Sequence, residues 1–161
     1  MKHIRLANRY AKALFELALE QKKLEIIAVD MKLVNDVVAE NKDLALLLKS
    51  PIVNALKKTS VFNALFEKNI DHLSLRFLSL LAKNGREEII PQVAESFVSI
   101  YNEFHGITNA WLTTAGTLEE NAKTAILTML KRLSGKEVHL QEFVNADLIG
   151  GFVVKLGDYQ Y

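Results

Sequence analysis

The chain has 161 residues, half of them apolar and 24% charged, which is the composition of a folded protein and not of a disordered one. Its net charge of +1 lacks the basic excess of a dedicated polyanion binder. It has no cysteine, which excludes disulfides, thiol catalysis and thiolate metal sites. Charges at Lys2, Arg5, Arg9 and Lys12 interrupt the N-terminus, so it has no apolar signal-peptide core, and no apolar run approaches the ~18 residues of a membrane span. The plain expectation is a cytosolic protein, which a membrane complex can still recruit through a partner.

The periodicity predicts a first helix over residues 3–21. Ile4, Ala7, Ala11, Leu14, Phe15, Ala18 and Leu19 form one apolar arc, and Leu6, Tyr10, Ala13 and Leu17 widen it to roughly 240°, against the ~100° or slightly more that one core contact needs. Arg5, Arg9, Lys12, Glu16 and Glu20 mark its solvent face. Such a helix has apolar surface for two neighbours.

A second helix is expected over about 24–39, with Ile27, Met31, Val34 and Val38 on one face, and a short third over about 43–48 that Ser50-Pro51 ends. A fourth covers about 55–67. A fifth begins after Asp71, its N-cap, and stops at Asn84-Gly85. Leu73, Phe77, Leu80 and Leu81 read as its core stripe, and Leu75, Leu78 and Ala82 widen the stripe to roughly 220°. A sixth runs to about Phe104 with Pro91 in its first turn. Its apolar set is Ile89, Ile90, Val93, Ala94, Phe97, Ile100, Tyr101 and Phe104.

Glycine use changes at Gly106: Gly85 alone precedes it, and Gly116, Gly135, Gly150, Gly151 and Gly157 follow. The domain boundary is therefore expected at His105-Gly106, giving domains 1–105 and 106–161. Residues 107–115 read as a strand carrying Trp111 on a core-facing side. Thr117-Leu118-Glu119-Glu120 reads as a capping box opening a helix that ends at Ser134-Gly135. Residues 137–144 and 151–156 read as strands, Gly157-Asp158 as a turn, and Tyr159 as the start of a further strand. Gly150-Gly151 matches no phosphate-loop pattern and reads as a bulge or tight bend. The fold class expected is mainly α: a six-helix N-terminal bundle followed by a small α/β domain.

No catalytic or metal-ligating constellation stands out. His3, His72, His105 and His139 have no ligand spacing. Glu87-Glu88 and Glu119-Glu120 sit where helix macrodipoles favour carboxylates. Lys57-Lys58 with Lys68 reads as a solvated helix face. Two alternatives stay open: an RNA- or ribosome-associated module using Lys57 and Lys58, and a small enzyme with a site near His105 and His139. The surplus apolar edges of the first and fifth helices either form a groove for a partner's amphipathic helix or are covered within the bundle.

Three segments also carry a resemblance. NRYAKALFELALEQ at 8–21, LAKNGREEIIPQV at 81–93 and ADLIGGFVVKLGD at 146–158 resemble, in order along the whole chain, the delta subunits of F-type ATP synthases, whose mitochondrial counterpart is the oligomycin-sensitivity-conferring protein. The resemblance implies a non-catalytic stator subunit without metal or cofactor, at the cytoplasmic face of the bacterial inner membrane, supporting proton-driven ATP synthesis. It implies that the bundle caps the catalytic head by binding alpha-subunit N-terminal helices, one of them between the first and fifth helices. The C-terminal part would meet the b-subunit end of the peripheral stalk. On this sequence the groove edge falls to Leu6, Tyr10, Ala13 and Leu17 on the first helix and Leu75, Leu78 and Ala82 on the fifth. Family members continue past the strand at Tyr159 into a last helix, which this sequence, ending at Tyr161, does not carry.

Overall fold

The computed structural model describes residues 2–156 and 159–160. The fold is mainly helical with one small sheet. In chain order it runs α1 (Lys2–Glu20), α2 (Leu24–Glu40), α3 (Lys42–Lys49), α4 (Ala55–Phe66), α5 (His72–Lys83), a 3-10 turn (Glu87–Ile89) and α6 (Ile90–Phe104). These are followed by β1 (Ile107–Thr114), α7 (Glu120–Ser134), β2 (Glu137–Val144), β3 (Phe152–Leu156) and β4 (Tyr159–Gln160). The expected turn at Gly157-Asp158, and Tyr161, lie outside the described residues.

The chain divides into two compact units, residues 1–101 and 102–161. In the first unit, local chemistry sets the helix ends. Asn41 and Asn54 cap α3 and α4 by accepting from the amides of Leu44 and Lys57, and Asp71 caps α5 by accepting from Leu73. Helix α5 closes as expected: Gly85 takes a left-handed φ of 64°, and the Arg86 amide reaches back to the Leu81 carbonyl at 2.8 Å. The core of this unit draws Ala7, Ala11, Leu14, Phe15 and Ala18 from α1, Ile27, Met31 and Val34 from α2, and Phe77, Leu78, Leu81 and Ala82 from α5. Val93, Ala94 and Phe97 of α6 complete it.

Three polar residues, Lys58, Asp30 and Ser74, are buried within that unit. Lys58 is 1% exposed. Its Nζ donates to the carbonyls of Ser50 (2.8 Å) and Leu48 (3.4 Å) and pairs with the Glu87 carboxylate, joining the end of α3, α4 and the 3-10 turn. Lys58 therefore does not belong to the solvated face expected of it, and Glu87 does more than answer a helix dipole. Asp30, also buried, accepts from Ser74 Oγ (2.7 Å) and the Asp71 amide (2.9 Å), fixing the start of α5 on α2.

In the second unit the strand order is β2-β1-β3-β4. Strands β1 and β2 pair in parallel, with α7 as the crossover, and β3 runs antiparallel to β1. One sheet face, built from Ala110, Leu112, Val138, Val154 and Leu156, buries Ile126 and Leu130 of α7. Two expectations are corrected here. Trp111 lies on the opposite face, half-buried, with the Lys155 ammonium 5.9 Å from its ring centre, because core-facing parity belongs to residues 110, 112 and 114. The capping box does not form. Helix α7 starts at Glu120, so Glu119 occupies the N-cap and no side chain caps it, which leaves Thr117 too far upstream. Gly135 closes α7 in a left-handed conformation, and Gly151, at φ 78°, makes the bend before β3.

Candidate functional site

Helices α1 and α5 flank an open cleft of about 420 Å³. Its floor is apolar: Leu14 and Leu17 from α1, and Leu73, Phe77 and Leu80 from α5. Gln21, Arg76, Ser79 and Lys83 complete the lining. At one edge, Tyr10 meets Phe77 edge-on with ring centres 6.4 Å apart. The Lys23 ammonium binds both carboxylate oxygens of Asp71 at 3.0 Å, tying the turn after α1 to the first turn of α5. The cleft thus has fixed walls and exposed leucines, with Leu17 38% and Leu80 48% exposed.

The expected groove residues fall in three groups. On α1, Leu17 lines the cleft, Leu6 and Tyr10 are partly buried against the core, and Ala13 is exposed one step outside the lining. On α5 the expected edge is corrected. Leu78 (0% exposed) and Ala82 (1%) belong to the core. Leu75 lines an adjoining furrow with Asn63, Glu67 and His72, which shares Arg76 and Ser79 with the cleft. The α5 wall of the cleft is instead Leu73, Arg76, Phe77, Ser79, Leu80 and Lys83. Of the residues expected in the core stripe, Phe77 does pack in the core, Leu73 is partly buried against it, and Leu80 is exposed. The missed signal is Ser74, a polar residue that points into the core because it bonds Asp30. Counting it as buried rotates the core stripe by about one residue and frees Leu80.

The other candidate chemistry does not assemble. With Lys58 buried in its ion pair, Lys57 remains alone on the exposed surface of α4, so the patch proposed for nucleic acid loses its centre. Among the described residues no group of three or more histidines, aspartates or glutamates could hold a metal ion. No described helix is long and apolar enough to cross a membrane.

Comparison with known proteins agrees with the fold. The ATP synthase subunit delta of Christiangramia forsetii is 34% identical over all 161 residues and is covered over 87% of its own length. That of Rhodopseudomonas palustris strain HaA2 is 35% identical over 153 residues, 94% of this chain and 82% of the relative. A chain in the Toxoplasma gondii mitochondrial ATP synthase hexamer superposes with a TM-score of 0.78 over 92% of this chain and 83% of that one; at 23% identity it speaks for the fold. The profile of the ATP synthase delta (OSCP) subunit matches residues 6–161. The chain belongs to the ATP synthase delta (OSCP) subunit family.

Proposed function

We propose that this peripheral-stalk subunit of ATP synthase works as a non-catalytic clamp, and that the α1–α5 cleft is its grip on the catalytic head. In this reading the six helices of residues 1–105 act as one bundle and receive an alpha-subunit N-terminal helix in the cleft. Residues 106–161 meet the b subunit, and the assembly sits at the cytoplasmic face of a bacterial inner membrane. The observation that carries the reading is the cleft itself: five apolar side chains from two helices line one open cleft, and two of them, Leu17 and Leu80, stand exposed to solvent. A stator has to resist torque from the rotor, so it needs broad apolar contact on stiff elements and no reacting groups. The test is calorimetric titration of the full chain with a peptide copying the alpha-subunit N-terminus of the same organism. Binding at tens of micromolar or tighter is expected for the wild type, with a loss of at least about tenfold in Leu17→Glu, which places a carboxylate in an apolar contact. An unchanged affinity in Leu17→Glu rejects the cleft as the site.

A further inference from the structure

The charged lining of the α1–α5 cleft has one sign. Among the described residues, Arg76 and Lys83 are the only ionisable ones in its lining, and both stand on α5. They are seven residues apart, hence two turns and roughly 10 Å along the helix on nearly the same face. Neither takes part in a salt bridge among the described residues, whereas Lys23, Lys58, Lys123 and Lys131 each do. The α1 side contributes no charge to the lining, only Leu14 and Leu17 of the helix and Gln21 of the turn after it; the α1 charges Arg5, Arg9, Lys12, Glu16 and Glu20 are of mixed sign, exposed and outside the lining. Two cations left unpaired along one lip of an apolar trough form a rail for negative charge.

We infer that the cleft selects an amphipathic helix with an acidic flank, its carboxylates spaced about one heptad apart and set against Arg76 and Lys83. This rests on the reading of the cleft as a helix dock and names the chemistry of the occupant. The apolar face would supply the bulk of the affinity, as burial does in helix-in-groove complexes. The rail would decide which helices are accepted: a basic flank there meets two like charges, and a neutral one leaves both cations without partners. Because the rail stands on one wall only, turning the same helix end for end would move its acidic flank to the uncharged α1 wall, so the rail also favours one direction of docking.

The experiment uses two synthetic 20-residue helical peptides with the same leucine face. One carries glutamates and the other lysines at heptad spacing along a single flank. Each is titrated calorimetrically into the full chain at 50 mM and at 500 mM salt. The glutamate peptide is expected to bind about tenfold more tightly at low salt, with the preference falling to about threefold or less at high salt, where screening shortens to a few ångströms. In Arg76→Glu/Lys83→Glu the preference should invert; both residues are exposed, and an unchanged helical melting curve shows that the variant folds. Equal affinity of the two peptides, or a preference that the double variant leaves untouched, overturns the rail while the cleft stands. Failure of both peptides to bind the wild type overturns the cleft reading, and the rail with it.

Discussion

Lys58 shows how one side chain ties distant parts of the first unit together. Its ammonium is taken out of water and satisfied by two carbonyls at the end of α3 and by Glu87 after α5. Removing the lysine strands the Glu87 carboxylate and two carbonyls, so Lys58→Ala should cost about 3–5 kcal/mol in urea unfolding. Lys57→Ala, one residue earlier and exposed, should stay within about 0.5 kcal/mol. Equal effects would mean that the buried pair contributes nothing net. Asp71 gives a pH signature. The Leu73 amide, and after it the Lys23 ammonium, hold its carboxyl below the usual carboxylate range. A group whose pKa is lower in the folded state stabilises above its unfolded pKa, and that stability is lost as pH falls through the folded value. Asp71→Ala should therefore cost about 1 kcal/mol at neutral pH, and the gap to wild type should close as pH drops below about 4. A gap independent of pH would assign the effect to packing. The cap was legible as an aspartate before an apolar-periodic run. The Lys58 pair was not, because its partner lies 29 residues away and a lysine beside a lysine reads as surface.

At the scale of elements, the helices were legible where end signals and periodicity coincide, as in α5 with Asp71 before it and Gly85 after it. The orientation of α5 was not. A stripe roughly 220° wide has two plausible centres, and tertiary packing chose the one containing Ser74, whose hydroxyl reaches the buried Asp30 on α2. A wheel treating serine as polar surface turns the helix the wrong way and exchanges Leu78 for Leu80. Strand β1 stands where it was expected, but the facing of Trp111 failed for a related reason: the core-facing positions are Ala110, Leu112 and Thr114, so the largest residue sits on the other face. The two leucines of α5 give a sharp comparison. Leu78→Glu places a carboxylate at a fully buried position and should abolish cooperative unfolding, whereas Leu80→Glu, about half exposed, should leave the melting curve nearly unchanged and weaken helix binding in the cleft. Circular dichroism and calorimetry on both variants measure this, and a folded Leu78→Glu would put the core stripe back where the wheel set it.

For the molecule as a whole, each unit has its own core: one of residues between Ala7 and Phe97, the other of residues between Ala110 and Leu156. The shift in glycine use placed a junction at His105-Gly106, whereas the two units divide at residues 101 and 102; Gly106, at φ 66°, makes the turn between α6 and β1. What composition could not give is which unit carries the cleft's stability. All of its lining residues, and the Lys23–Asp71 and Tyr10–Phe77 contacts that brace it, fall within the first 101 residues. A fragment of residues 1–105 keeps α1 through α6 intact, retains every residue of the larger core, and is of a length at which single domains fold alone. It should unfold in one cooperative transition and bind the cleft peptide within about threefold of the full chain, a difference of less than about 1 kcal/mol. If the fragment instead shows helix without a cooperative transition, or loses the peptide while staying folded, the proposed helix dock needs residues 106–161, and the proposed division of labour between the two units is wrong.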